Sequence, residues 1–260
     1  MLSHTLFDLP FISKTIPFTS AVLVTDPSTV GNLTVWFRAE DLSFLGEGGS
    51  VGTGSSAWVN HVGDTSFSAS QETVARQPIY TTTKFAGSKS GIHLESGVNY
   101  DYLHFSQLFN KQLPLGAAWI ISILFKGNGS DSMLLADEAF NRQLRRFFSG
   151  NDILAYGGGG VVNSSQFSSS ISQSAVCTFI GSGSSIYYYE GKYPRSFTAV
   201  NPNNMIIETI GYLGAGTGTC TGSFAEICVW TGSLSQADIT NLYDNYWRVK
   251  YPLENLYVAP

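Results

Sequence analysis

Apolar residues along this chain gather in short runs divided by glycine- and serine-rich turns. The strongest run is Trp-Ile-Ile-Ser-Ile-Leu-Phe at 119–125, nearly continuous in its apolar character. A run of that length bounded by turn residues reads as a strand buried on both faces. Leu33–Phe37 and Ala57–Asn60 are strand-like in composition, and 133–136, 144–148, 175–180, 185–190, 205–212 and 222–230 follow. Gln77 precedes a proline, which biases it toward extended backbone and makes 77–80 a further extended piece. Turn signals at 127–129, 150–151, 157–160 and 181–183 separate these segments. Many short strands at such spacing predict an all-β sandwich or barrel.

One segment switches period. Ile239, Leu242, Tyr243, Tyr246 and Trp247 recur at helical spacing and form one apolar stripe. Ser235, with Asp238 three residues on, predicts a capped N-terminus for this helix. The first 32 residues obey neither period. Phe7, Leu9, Phe11, Ile12, Ile16, Phe18 and Val22–Val24 are interrupted by prolines and hydroxyl residues. They read as an extended apolar arm that must bury itself on its own sandwich or on a neighbouring subunit. The expected organisation is therefore an arm at 1–32, one domain at 33–251 and a short tail at 252–260.

Charged residues make up 13 % of the 260 residues, about half the usual share, so the surface polarity must come from Ser, Thr, Asn, Gln and Gly. Such a surface suits extracellular and virion proteins and hydrogen bonding to neutral ligands. The net charge of −5 gives nucleic acid no electrostatic attraction. Arg142, Arg145 and Arg146 form the one basic cluster, read as solvated arginines on a strand. Three cysteines do not make a disulfide framework; Cys177 and Cys228 sit in apolar runs as small hydrophobes, with a Cys220–Cys228 or Cys177–Cys228 bridge left open. No signal peptide and no membrane-length apolar run is visible, so the expectation is a chain without membrane insertion, assembled in a host cytoplasm and exposed outside.

Three groups of residues resemble the concanavalin A-like jelly rolls, and more narrowly their laminin-G-like branch. They are Val35-Trp-Phe-Arg-Ala-Glu-Asp41 with Trp58 and Gln77-Pro-Ile-Tyr80; the hairpin Ser185-Ile-Tyr-Tyr-Tyr-Glu-Gly191; and Ile210-Gly-Tyr212, Gly222–Trp230 and Leu234–Asp238 leading to Lys250-Tyr251. The resemblance spans roughly 33–251 and implies an antiparallel two-sheet jelly-roll sandwich with one C-terminal helix. The chain departs from the family pattern at Asn60, where an aspartate is usual, which puts any turn or site using that carboxylate in doubt. Members include lectins, adhesion modules, polysaccharide-active enzymes and phage virion components, so function has to be argued from the site.

Glycosidases of this fold carry Glu-x-Asp-x-x-Glu on one strand, placing carboxylates on one face. No such triplet occurs here. Glu40-Asp41 and Asp137-Glu138 are adjacent pairs, and Glu226 stands alone in its strand, where a structural hydrogen bond fits it. His4, His61, His93 and His104 lack zinc spacing, and no nucleophile elbow is present. No catalytic residue, metal ligand or cofactor is assigned, though Asp131, Asp137 and Asp152 near turns leave a structural calcium open. Sugar binding needs an aromatic platform with hydrogen-bonding groups on loops. Tyr100 and Tyr102 flank Asp101, and Tyr156 precedes a glycine loop with Asn163 beyond it; these four are the candidate ligand-binding residues. Tyr187, Tyr188 and Tyr189 alternate along one strand. The expectation is a non-catalytic virion structural protein, a phage tail-fibre, receptor-binding or capsid-decoration component. Its arm would hold other virion subunits, its homo-oligomer would display the sandwich, and its partner would be cell-surface carbohydrate. The alternatives are a glycan-binding module of a bacterial surface protein and a polysaccharide-degrading enzyme.

Overall fold

The computed structural model describes residues 26–95, 100–107, 118–127, 131–137, 142–147, 153–157, 174–183, 185–200, 207–213, 218–254 and 256. The strands, in chain order, begin with β1 (Asn32–Arg38), β2 (Trp58–Val59), β3 (Ser68–Ser70), β4 (Ile79–Phe85), β5 (Lys89–Leu94) and β6 (Leu103–Phe105). They continue with β7 (Trp119–Gly127), β8 (Asp131–Ala136), β9 (Arg142–Phe147), β10 (Ile153–Gly157), β11 (Ser174–Ser182) and β12 (Ser185–Glu190). The last are β13 (Tyr193–Val200), β14 (Thr209–Ile210), β15 (Tyr212–Leu213), β16 (Gly218–Thr219) and β17 (Gly222–Thr231).

Two antiparallel sheets form the sandwich. The first has the order β13-β12-β11-β7-β17-β5-β4, and the second β10-β9-β8-β14-β6-β3-β2. The ten-residue β17 organises the first sheet. One edge pairs with β7 along its length; the other is shared by β5 at Gly222–Phe224 and β1 at Glu226–Thr231. The register slips between Phe224 and Glu226, a bulge at the handover from one partner to the next. This is the jelly-roll sandwich that the sequence predicted, with the expected helix near its end and short 3-10 segments such as Ala39–Leu45 and Val74–Arg76 before it.

The first sheet is a middle layer. Its inner face packs Phe37, Ile92, Ile121, Ile123, Phe125, Phe224 and Ile227 against residues of the second sheet such as Trp58, Leu103 and Ile210. Its outer face packs Trp36, Ile120, Leu124, Cys228 and Trp230 against Leu242, Tyr243, Tyr246, Trp247 and Tyr251. Burial on both faces explains why β7 and β17 read as unbroken apolar runs. The five predicted stripe residues of the helix, Ile239 to Trp247, are all buried. Ser235 caps the helix: its Oγ accepts from the Asp238 amide (3.1 Å), and Asp238 Oδ2 accepts from the Ser235 amide (2.9 Å). After Gln236–Asn241 the helix widens to π geometry over Leu242–Trp247 and closes at Arg248–Lys250.

The structure amends several readings. The 205–212 run is not one strand, because Gly211 breaks it at φ 81° between β14 and β15. A Cβ there would lie 2.1 Å from Leu94 Cδ2, so both the backbone and the space require glycine. Cys177, Cys220 and Cys228 are buried and form no disulfide, and burial holds the Cys220 and Cys228 thiols well above their ordinary range. Arg142, Arg145 and Arg146 do lie on a strand, β9. At the boundary of the arm, Pro27 is buried and its carbonyl accepts from Trp230 Nε1 (3.1 Å). In the tail, Leu256 packs in the helix-side core.

Asn60 resolves the departure from the family pattern. It is buried, and its Oδ1 accepts from the Trp36 amide (2.8 Å). Its Nδ2 donates to the carbonyls of Thr34 (3.2 Å), Val62 and Asp64 (3.2 Å). The side chain thus staples β1 to the 60–64 turn with both donors and acceptor. An aspartate could accept but not donate.

Candidate functional site

A cluster of buried charge surrounds Glu226 on the outer face of the first sheet. Glu226 is fully buried. Its carboxylate accepts from Trp36 Nε1 (2.8 Å), Tyr246 Oη (2.6 Å) and Tyr251 Oη (2.7 Å), and pairs with Lys250 Nζ at 2.6 Å. Lys250 also reaches Glu40 Oε1 at 2.9 Å. Every group that meets Glu226 comes from β1 or the helical segment, so the carboxylate ties sheet, helix and first strand together. Burial disfavours the tyrosinate forms of Tyr246 and Tyr251, and the Glu226 charge disfavours them further, so both phenols are held far above their usual range. Burial alone would lower Lys250, but Glu226 and Glu40 outweigh it and the net shift is upward. With all these contacts filled, no acceptor on Glu226 is left to face a substrate. The structural role expected for this residue is the one observed.

The opposite face of the molecule, the outer side of the second sheet, is built differently. In β6, Leu103 and Phe105 point into the core, and Phe105 stacks on Phe67 at 5.3 Å. His104 therefore points outward, and Tyr102, two residues before it, shares that side. Tyr102 and His104 meet edge to face at 4.9 Å. Across the sheet, Ile210 of β14 enters the core, and the Gly211 break re-aims the chain so that Tyr212 stacks on Tyr102 at 4.4 Å and 27°. Tyr102 is buried, whereas Tyr212 and His104 are half-buried. Tyr212 is thus the ring that this pair offers to solvent, with Tyr102 as its support.

Polar groups frame the pair. Arg76, at the end of the short helical turn Val74–Arg76, sets its guanidinium 5.9 Å from the Tyr102 ring centre and donates to Tyr102 Oη at 3.3 Å. Gln71 Nε2 donates to the Tyr102 carbonyl (3.3 Å), and the Tyr102 amide donates to the Arg76 carbonyl (3.3 Å). Asp101 Oδ2 accepts from the Glu95 amide at 3.0 Å, and burial holds its carboxyl above the ordinary value. An aromatic face, a guanidinium and an imidazole within one stretch of surface can hold a ring-shaped polar ligand by stacking and directed hydrogen bonds.

Of the residues singled out in the sequence, the structure places Tyr102 at the centre of this cluster and Tyr100 two residues before it, in a positive-φ conformation (33°). Tyr156 lies on β10, its side chain outside the described part, and Asn163 lies outside the described residues. Tyr188 is buried against Phe179 at 5.0 Å, while Tyr187 is exposed. Arg76 and Tyr212 were not picked out for chemistry in the sequence. Tyr212 stood only within the Ile210-Gly-Tyr212 motif, and nothing in the sequence indicates that it meets Tyr102. Among the described residues no three His, Cys, Asp or Glu side chains gather into a metal-binding group. The calcium candidates Asp131 and Asp152 have no described side chains, and Asp137 is buried.

No protein-family model and no curated protein matches the chain. Solved structures do. Domain 4 of an extracellular GH43 arabinanase from Geobacillus stearothermophilus, solved with arabinotriose, superposes with a TM-score of 0.53 at 12 % identity, over 82 % of this chain and 99 % of that domain. A mutant sialidase of Trypanosoma rangeli that displays trans-sialidase activity gives a TM-score of 0.53 at 10 % identity over 82 % of this chain. The match spans 32 % of the sialidase. At these identities the likeness is one of fold.

Proposed function

We propose that this chain is a non-catalytic carbohydrate-binding jelly roll whose ligand lies on the shelf formed by Tyr212 and Tyr102. The observation that carries this reading is the stacked tyrosine pair, with Arg76 and His104 beside it, on the sandwich face that the helix does not cover. A pyranose presents an apolar C–H face to an aromatic ring and its hydroxyls to flanking polar groups, and this arrangement offers both. The arabinanase domain, solved with arabinotriose, is a case of the same fold beside a sugar. Against catalysis stands the use of Glu226 as a structural tie, its carboxylate filled by Trp36, Tyr246, Tyr251 and Lys250. Within this reading the chain serves as a virion attachment or decoration component. The low charge and the apolar arm at 1–32 support that role.

A glycan array with the intact chain tests the binding reading: specific hits are expected, and a Tyr212→Ala variant should lose them while keeping its melting temperature. A wild-type chain with no hit, or a variant that keeps them, contradicts it. For the arm, deletion of residues 1–25 should leave a folded sandwich that no longer associates. Hydrolysis of any array polysaccharide by the pure chain would favour the enzyme alternative.

A further inference from the structure

Among the described residues, Arg76 lacks the carboxylate partner that several other cations of the molecule have. Arg38 has Asp41 at 2.5 Å, Lys126 has Glu254 at 3.3 Å, Lys192 has Asp244 at 2.9 Å, Arg248 has Asp244 at 3.7 Å, and Lys250 has Glu226 at 2.6 Å. Arg76 is half-buried, yet among the described residues no carboxylate lies within salt-bridge distance of it. Its one side-chain hydrogen bond goes to the neutral phenol of Tyr102 (3.3 Å). A guanidinium has five N–H donors in a planar fork, and that single contact leaves most of the fork open. The nearby Asp101 is engaged by the Glu95 amide instead.

We infer that the shelf selects acidic glycans, with a sugar ring on Tyr212 and the sugar's carboxylate in the fork of Arg76. This deepens the carbohydrate reading above and rests on it. The geometry joins the two halves. Tyr212 lies 4.4 Å and the Arg76 guanidinium 5.9 Å from the same Tyr102 ring, so one ligand can meet both. A carboxylate matches the fork bidentately, and such charge-assisted bonds are about twice as strong as the neutral bonds a hydroxyl would make there. Tyr102 has a positioning role: it supports Tyr212 with its ring and steadies Arg76 with its hydroxyl.

The test uses matched pairs that differ in charge: oligogalacturonate and its methyl ester, oligoglucuronate and its methyl ester, and sialyllactose and lactose. Affinities are measured calorimetrically at low and physiological salt. In at least one pair the acid should bind tenfold or more tightly than its neutral mate. Arg76→Gln should abolish that preference, weakening the acid far more than its neutral mate. Arg76→Lys, which keeps the charge but not the fork, should recover part of it. Tyr212→Ala should weaken acid and neutral forms together. If glycans bind with no preference for the acid, or if the preference survives Arg76→Gln, the acidic assignment is overturned and the aromatic shelf stands. If no glycan binds at all, the carbohydrate reading fails and the acidic assignment fails with it.

Discussion

The two outer faces of this sandwich use the same residue types for opposite ends. On the helix side, tyrosines, a basic residue and a carboxylate close on one another: Tyr246, Tyr251, Lys250 and Trp36 all meet Glu226. On the other side, Tyr102, Tyr212 and Arg76 gather, and among the described residues no carboxylate lies within salt-bridge distance of Arg76. A tyrosine-and-cation cluster is therefore not in itself a ligand site. What separates the two is whether the molecule supplies the group that the donors converge on. Around Glu226 it does, and the face is sealed; around Arg76, among the described residues, it does not, and the proposed ligand would take that place.

The comparison can be broken most forcefully at Glu226. Glu226→Ala leaves Lys250 buried beside two tyrosine hydroxyls that have lost their acceptor. A buried pair broken in this way costs about 3–5 kcal/mol. Chemical denaturation should show that loss, whereas Tyr212→Ala should stay within about 1 kcal/mol of wild type, the cost of a half-buried side chain outside the core. Equal losses would erase the distinction between the faces.

Asn60→Asp comes next. It removes both N–H donors, which between them reach three carbonyls, and sets a carboxylate against those carbonyls, at a cost of about 1–3 kcal/mol for the unsatisfied buried groups. A melting temperature equal to wild type would mean that the amide is not what holds β1 to the turn.

The pH dependence sharpens the contrast further. Tyr246, Tyr251 and Lys250 all have pKa values raised by folding. A raised group contributes stability in full below its unfolded value, about 10 for Tyr and 10.4 for Lys, and that contribution is lost as pH climbs above it. Stability should therefore be level on this account up to about pH 10 and fall beyond it. The fall should be read in tryptophan fluorescence, since Trp36 and Trp247 lie beside the network. A fall of the same size in the Glu226→Ala variant would dissociate it from this network.

The smallest effect concerns the cap. Ser235→Ala should cost about 1 kcal/mol, the usual worth of an N-cap hydroxyl. It should loosen the helix side without touching glycan affinity.

How much of this was legible in the sequence follows from the layering. Strands β7 and β17 were readable because both their faces are buried, and the helix because its stripe and cap are local signals. Strands β3, β6 and β16, of two or three residues, carry too few side chains for a period, and their pairing is set by residues far away in the chain. The same holds for the shelf. Tyr102 was picked out because it flanks Asp101, but its partners Arg76 and Tyr212 reach it only through the fold. Asn60 shows the reverse case: a departure from the resembled pattern that looked like a loss is an amide that hydrogen-bonds β1 and the 60–64 turn at once.

The central claim, that the Tyr102–Tyr212 shelf holds a sugar, is tested most directly by NMR of the chain labelled at its tyrosine rings, titrated with an array-positive glycan. The account predicts that the ring signals of Tyr212 and Tyr102 shift first and saturate with the calorimetric affinity, while those of Tyr246 and Tyr251 stay fixed. Shifts confined to other tyrosines, such as the exposed Tyr187 and Tyr193, would contradict it.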